Sequence, residues 1–169
     1  MENLFFVERL EELNRKDDKA ALAEIRRAAA NPDDNFLILR IIGSYLPSEV
    51  SNWELDIYKR LACLYAIHKG HINKDYYNFG VSCRKIWLNL DAGKESFESR
   101  FAALLNCRPE DLYRHLLSIV RFASDKGVKI NFNRLFKDMK YWAHPDKFAQ
   151  KNWAKQFWTI KLKEEETEN

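Results

Sequence analysis

Two apolar stripes at helical spacing, joined at the step His144-Pro145, fix what the last part of this chain can become. Leu135, Met139 and Trp142 share one face at 100° per residue, and Lys137 and Lys140 fall on the far side. Ala149, Trp153, Phe157 and Ile160 then repeat at i, i+4, i+8 and i+11, opposite the stripe Lys147, Lys151 and Lys155. Trp158 breaks the pattern by landing among those lysines. Between Asn131 and Lys163 there are eight Lys/Arg and two acids, a local charge of 8 − 2 = +6. A packed apolar back behind a positive, partly aromatic front predicts a surface that meets phosphate.

The same periodicity runs through the rest of the chain. Phe6, Leu10 and Leu13 predict a helix over Glu2–Asn14. Asp17 or Asp18 caps a second helix that reaches Ala30 and stops before Pro32, with Leu22, Ile25 and Ala29 inward and Lys19, Arg26 and Arg27 on the adjoining side. Phe36 to Leu46 predicts a short buried helix, and Ser51 or Asn52 opens a long one through His68 with the seam Trp53, Ile57, Leu61 and Leu64. The polar run His71 to Asn78 predicts a mobile loop or a boundary. Beyond it, Cys83, Ile86, Trp87 and Leu90 cluster on one face, with Arg84 and Lys85 near a first turn where cations oppose the helix dipole. Phe97, Phe101 and Leu104 define a helix with Arg100 at its apolar edge. Pro109 to Gly127 bounds another, in which Leu112, Leu116, Ile119 and Ala123 oppose Arg114 and Arg121. Asn131 or Asn133 caps the helix that follows.

About nine helices and no convincing strand predict an all-α bundle, with an N-terminal lobe over 1–75, a C-terminal lobe over 76–163 and an acidic tail over 164–169. The net charge of +3 hides a polarity along the chain. Residues 1–60 carry nine bases and twelve acids, residues 61–133 eleven and seven, and residues 134–163 eight and two. Cys63, Cys83 and Cys107 are odd in number and set in apolar helical context, which predicts reduced buried thiols. No apolar run approaches the roughly 20 residues of a membrane span, and the N-terminus lacks a basic leader, so a cytoplasmic protein is expected.

Catalytic spacing is absent: there is no HExxH, no CxxC pair, no phosphate-binding loop and no GxSxG. His68 and His71 flank a helix end without a third metal ligand nearby, and Cys107, His115, Ser82 and Ser118 read as packing groups. Neither enzyme, cofactor nor metal is expected. HPDK at His144 to Lys147, together with DYYNFGVS at Asp75 to Ser82, is similar to motifs of the J-domains of Hsp40-type co-chaperones. In those domains the two motifs share one short helical hairpin, whereas 69 positions separate Asp75 from His144 here. Pro145 as a first helical residue and Asp146 as a first-turn acid supply a structural reading instead. A co-chaperone acting through His144, Pro145 and Asp146 is the competing interpretation.

Taken together, FVERLEELNRKDDKAALAEIRRA (Phe6 to Ala28), NFGVSCRKIW (Asn78 to Trp87), SRFAALLNC (Ser99 to Cys107) and INFNRLFKDMKYWAHPDKFAQKNWAKQFW (Ile130 to Trp158) resemble, in order and spacing, the CasB family. CasB is the small subunit of the type I-E CRISPR surveillance complex, Cascade. The resemblance implies a non-enzymatic all-helical protein that sits as a pair in the complex, with other Cascade subunits, the guide RNA and the target and displaced DNA strands as partners. It implies strand contacts for Arg26, Arg27, Arg84, Arg100, Lys137 and Lys147. Helix projection adds Lys19, Arg121, Lys140, Lys151 and Lys155, and offers Trp158 for stacking on a base or for a protein contact.

Overall fold

The computed structural model describes residues 2–159, with side chains from Phe5 onward. Nine α-helices are found among them: α1 (Glu2–Arg15), α2 (Lys19–Arg27), α3 (Leu39–Ile42), α4 (Asn52–His68), α5 (Phe79–Leu88), α6 (Lys94–Asn106), α7 (Leu112–Lys126), α8 (Phe132–Lys140) and α9 (Phe148–Trp158). The all-α architecture expected from the periodicity is the one observed, and the described residues contain no strand beyond one isolated bridge between His71 and Ile130. None of these helices is long and apolar enough to cross a membrane.

Helix α4 is the axis. Its start is fixed by a capping box in which Ser51 and Glu54 bond each other's backbone N–H. From Ile57 to Ala66 every residue except Arg60 is buried, so the helix has no solvent stripe in its middle and must be surrounded. Helices α7, α2 and α8 supply most of that surround. Phe6 of α1, Tyr58 of α4 and Phe136 of α8 meet in an aromatic triad with centroid separations of 4.7, 6.0 and 4.7 Å. At the other end α5 and α9 pack closely, with Trp153 5.0 Å from both Phe79 and Trp142 and Phe157 stacked on Phe101 at 4.4 Å.

Four local expectations need correction. The stretch from Phe36 is not one buried helix: it breaks into a 3₁₀ turn, the four-residue α3 and a second 3₁₀ turn. Phe36 and Leu37 stay 70% and 61% exposed; Ile38 and Ile42 are the fully buried residues of the stretch, and Leu39, Ile41, Tyr45 and Leu46 pack on the core only in part. Trp53 leaves the α4 seam and is 53% exposed, while burial along α4 begins only at Ile57. Pro145 and Asp146 lie in a turn closed by Lys147 N–H to the His144 carbonyl, and α9 begins only at Phe148, after Lys147 turns left-handed at φ 55°.

The fourth concerns the polar run after α4, which is fastened rather than loose. Ile72 N–H bonds the Ile130 carbonyl, Tyr77 Oη donates to the Lys129 carbonyl, and Asn131 and Arg134 donate to the carbonyls of Lys74 and Asp75. Two imidazoles complete the seam. His68 Nε2 bonds the Val128 carbonyl, and His71 Nδ1 accepts from the first N–H of α8, at Phe132. Burial holds both below the usual histidine value of 6.5, so neither folded imidazole takes a proton as readily as the unfolded chain does. Stability should therefore be level above neutrality and decline as pH falls below about 6.5, where the unfolded state gains protons more readily than the folded one. A melting temperature that stays flat across that range, or an equal slope in a His71→Gln variant, would contradict this origin.

Candidate nucleic-acid interface

Eleven cations are singled out in the sequence as candidate strand contacts. Only two of them form ion pairs among the described residues. Lys19 lies 3.3 Å from Asp17, both well exposed, a contact of little strength in water. Helix projection puts Lys140 on the far side of α8, but its side chain is only 16% exposed, folded over the rings of Phe136 and Tyr58 and 3.8 Å from Glu54. It follows the helix inward because the start of α4 offers both aromatic faces and a carboxylate. Elsewhere Arg9, Arg40, Arg60, Arg108 and Arg114 are each paired with an acid. Acid pairing has thus fallen mainly on cations outside the set.

The members differ in how they are held. Arg26 and Arg27 are exposed in the last turn of α2, where the helix dipole favours cations, and Arg27 Nε donates to the Ala23 carbonyl at 3.3 Å. Arg84 is partly buried on α5 and its Nη1 donates to the Phe157 carbonyl at 3.0 Å, so it satisfies a backbone acceptor left open at the end of α9. Arg84 is the sixth residue of the ten-residue α5 and Lys85 falls in its last turn, so neither cation stands in the first turn expected from the sequence, and the helix dipole does not oppose them. Arg100 is exposed, over the Phe122 ring, and ties α6 to α7 through the Ser118 hydroxyl at 2.8 Å. Arg121, Lys137, Lys147, Lys151 and Lys155 are exposed on α7, on α8 and along α9.

Packing sorts them into groups. Arg84 and the α9 lysines sit on the tightly joined α5 and α9, and α6, with Arg100, packs against α5 and α7. Lys137 is on α8, against α4 and α1, and Arg26 and Arg27 are on α2, also against α4 and α1. Helix α4 is thus the shared support of the second group.

Trp158 is 45% exposed but is not loose: its indole N–H donates to Glu98 at 2.7 Å and its ring meets Phe101 edge-on at 5.3 Å. Ile160, Lys161 and Lys163 lie outside the described residues. Sequence reasoning passed over Trp87 as a partner for cations, yet its ring is approached by Arg84 at 5.2 Å and by Lys94 at 4.5 Å. Lys94 lies beyond a break between helices, and nothing in the local pattern signals that it returns to Trp87.

Both serines weighed for other chemistry have structural partners. Ser82 Oγ donates to the Lys129 carbonyl, and Ser118 accepts from Arg100. Cys63, Cys83 and Cys107 are free thiols, with Cys107 only half-buried; burial pushes Cys63 up to about 12 and Cys83 well above the ordinary thiol range. No group of three or more metal-ligating side chains occurs among the described residues. In the HPD tripeptide, His144 Nδ1 accepts from the Asp146 N–H at 3.1 Å while its ring lies 4.7 Å from Phe148.

The model of the family described as CRISPR-associated protein Cse2 matches residues 21–158. A CRISPR-associated protein Cse2 from Thermus thermophilus is 27% identical over 151 residues, covering 87% of this chain and 83% of the relative. The crystal structure of a Cse2-family protein from that organism superimposes with a TM-score of 0.79 at 23% identity, over 94% of this chain and 98% of the other. The crystal structure of M. ruber CasB gives 0.75 at 26% identity, over 94% and 93%. A chain of a CRISPR RNA-guided surveillance complex gives 0.74 at 21%, over 92% and 91%. These findings give the co-chaperone reading no support.

Proposed function

Since the chain belongs to the Cse2 family of CRISPR-associated proteins, we propose that it is a non-enzymatic subunit of an RNA-guided surveillance complex, Cascade, and steadies the R-loop through contacts to DNA backbone. A relative of the same fold is a chain of such a complex, which supports the assembly. The strand-holding role rests on one observation: outside Lys19 and Lys140, the cations of the set have no acid partner among the described residues, and they occupy several helices. A base-reading protein concentrates its contacts on one element in a groove, whereas a protein that follows a backbone spreads them. Exchanging a DNA duplex for an RNA–DNA duplex is nearly balanced, so a few phosphate contacts suffice to tip it. Other Cascade subunits, the guide RNA and a second copy of this chain complete the expected surroundings.

Lys137, Lys151 and Lys155 are the positions on which to test this, since all three are exposed and lack an acid partner. Arg84 is less suitable because its loss would also release the end of α9. With all three changed to Gln, the assembled complex is expected to form its R-loop at least about tenfold more weakly near physiological salt. The slope of log K against log salt should fall by about two, in a subunit that still unfolds cooperatively and enters the complex. Wild-type R-loop affinity and slope in a folded, incorporated triple variant would remove the proposal.

A further inference from the structure

Trp87 stands where α5 ends and α6 begins, half-buried, with its ring 6.4 Å from Phe157. Two cations converge on that ring: the Arg84 guanidinium carbon at 5.2 Å and Lys94 Nζ at 4.5 Å. Neither cation has a carboxylate within ion-pair distance among the described residues. One turn beyond Lys94 on α6, the Glu98 carboxylate is engaged by the Trp158 indole at 2.7 Å. Lys94 is also the first residue of α6, after Gly93, which makes no side-chain cap. A cation there opposes the helix dipole, so the helix itself does not call for one. Arg84 spends Nη1 on the Phe157 carbonyl, and its Nε and the Trp87 indole N–H are buried donors without an acceptor. The corner therefore combines two uncompensated positive charges, an aromatic wall and the exposed N-terminal end of a helix.

We propose that Arg84, Trp87 and Lys94 form a phosphate-binding corner for one phosphodiester of a DNA strand, with Lys94 as a contact residue and Trp87 as the positioning residue that holds both cations toward it. The proposal rests on the strand-holding reading above, in which Arg84 is already a strand contact, and extends it to Trp87 and Lys94. Cation–π attraction survives an aromatic replacement and is lost with an aliphatic one, so Trp87 acts through its ring rather than its bulk. The Arg84 Nη2 group and the Lys94 ammonium meet the anion; the indole does not.

The test uses the full chain and a fluorescein-labelled single-stranded DNA oligonucleotide, with anisotropy titrations between about 50 and 200 mM salt. Lys94→Gln is expected to lower affinity several-fold and to reduce the salt slope by about 0.7, the value for one phosphate contact on a single strand. Trp87→Phe should keep the slope, while Trp87→Leu should lower it as Lys94→Gln does. Lys129→Gln, an exposed lysine on a different seam, should change neither quantity. If Lys94→Gln binds like the wild type while the Lys137, Lys151, Lys155 triple variant is weakened, the corner is not a contact and the strand-holding reading stands. If Trp87→Phe and Trp87→Leu give equal slopes while Lys94→Gln is weakened, the ring has no positioning role. If the wild type shows no salt-dependent binding, the corner and the wider reading fail together.

Discussion

Replacing Trp153 by alanine is expected to remove about 4–5 kcal/mol of stability, the upper part of the range for emptying a large aromatic site in a core. Trp153 is fully buried between Phe79 and Trp142, and its indole N–H donates to Asp138 Oδ2 at 2.7 Å. Truncation thus opens a cavity between α5 and α9 and strips a partly buried carboxylate of its donor. For a chain of this length, the loss corresponds to a fall in melting temperature of about 8–20 °C. Trp153→Phe separates the two contributions, because it retains most of the packing and loses the hydrogen bond, worth about 1.5–3 kcal/mol to a charged acceptor. Burial already pushes the Asp138 carboxyl above its ordinary range, while the Trp153 N–H, Arg134 and Lys137 pull it down. Without the indole the folded-state value rises further. A raised carboxyl value penalises the folded state where that group is ionised, so the deficit of Trp153→Phe should be greatest near neutral pH and shrink as acid protonates Asp138. A deficit independent of pH would show that the hydrogen bond carries none of it.

How far the sequence could be read follows from which residues act alone and which act through partners distant in the chain. Helix existence was legible because apolar spacing and caps are local: Asp18, Ser51 and Asn131 each bond an N–H two or three residues inside the helix that follows. The fastening of the polar run from His71 is not legible locally because its partners lie over fifty positions away, at Val128 to Arg134, and no local pattern announces them. Pro145 is compatible with a helix start and with a turn; the hydrogen bond between His144 and Lys147 decides for the turn.

The candidate surface shows the same division. Exposure of Arg121, Lys137, Lys151 and Lys155 follows from angle alone. The fate of Lys140 depends on Glu54 and Tyr58, and that of Arg84 on the far end of α9, neither of which angle can supply. Trp158 looks from its spacing like a residue left over for stacking, yet Glu98 on another helix holds its N–H.

Gly80 carries the second large effect. It lies in the first turn of α5, and a β-carbon built there would come 2.7 Å from the Trp153 Cα and 2.8 Å from its carbonyl carbon, with the carbonyl oxygen nearer still. All three are backbone atoms of α9, so no rotamer change relieves the contact. Alanine would gain up to about 1 kcal/mol in helix propensity, but overpacking against a fixed backbone costs about 1–3 kcal/mol and occasionally more. At this seam the second effect wins, and Gly80→Ala should be destabilised by about 2 kcal/mol, equivalent to about 4–8 °C. Gly43→Ala is the matched control, because Gly43 has helical dihedrals and nothing within 4 Å of its added carbon, so its stability should hold or rise. The same displacement reaches function, since α5 carries Arg84 and α9 carries Lys151 and Lys155. Forcing the two helices apart alters the spacing of these cations while leaving every charge in place. Measured well below its melting temperature, Gly80→Ala should therefore bind DNA more weakly although its composition of cations is unchanged. Equal melting temperatures for the Gly80 and Gly43 variants would mean that α9 can retreat without loss, and unaltered binding by folded Gly80→Ala would mean that the spacing between α5 and α9 is not what positions the strand.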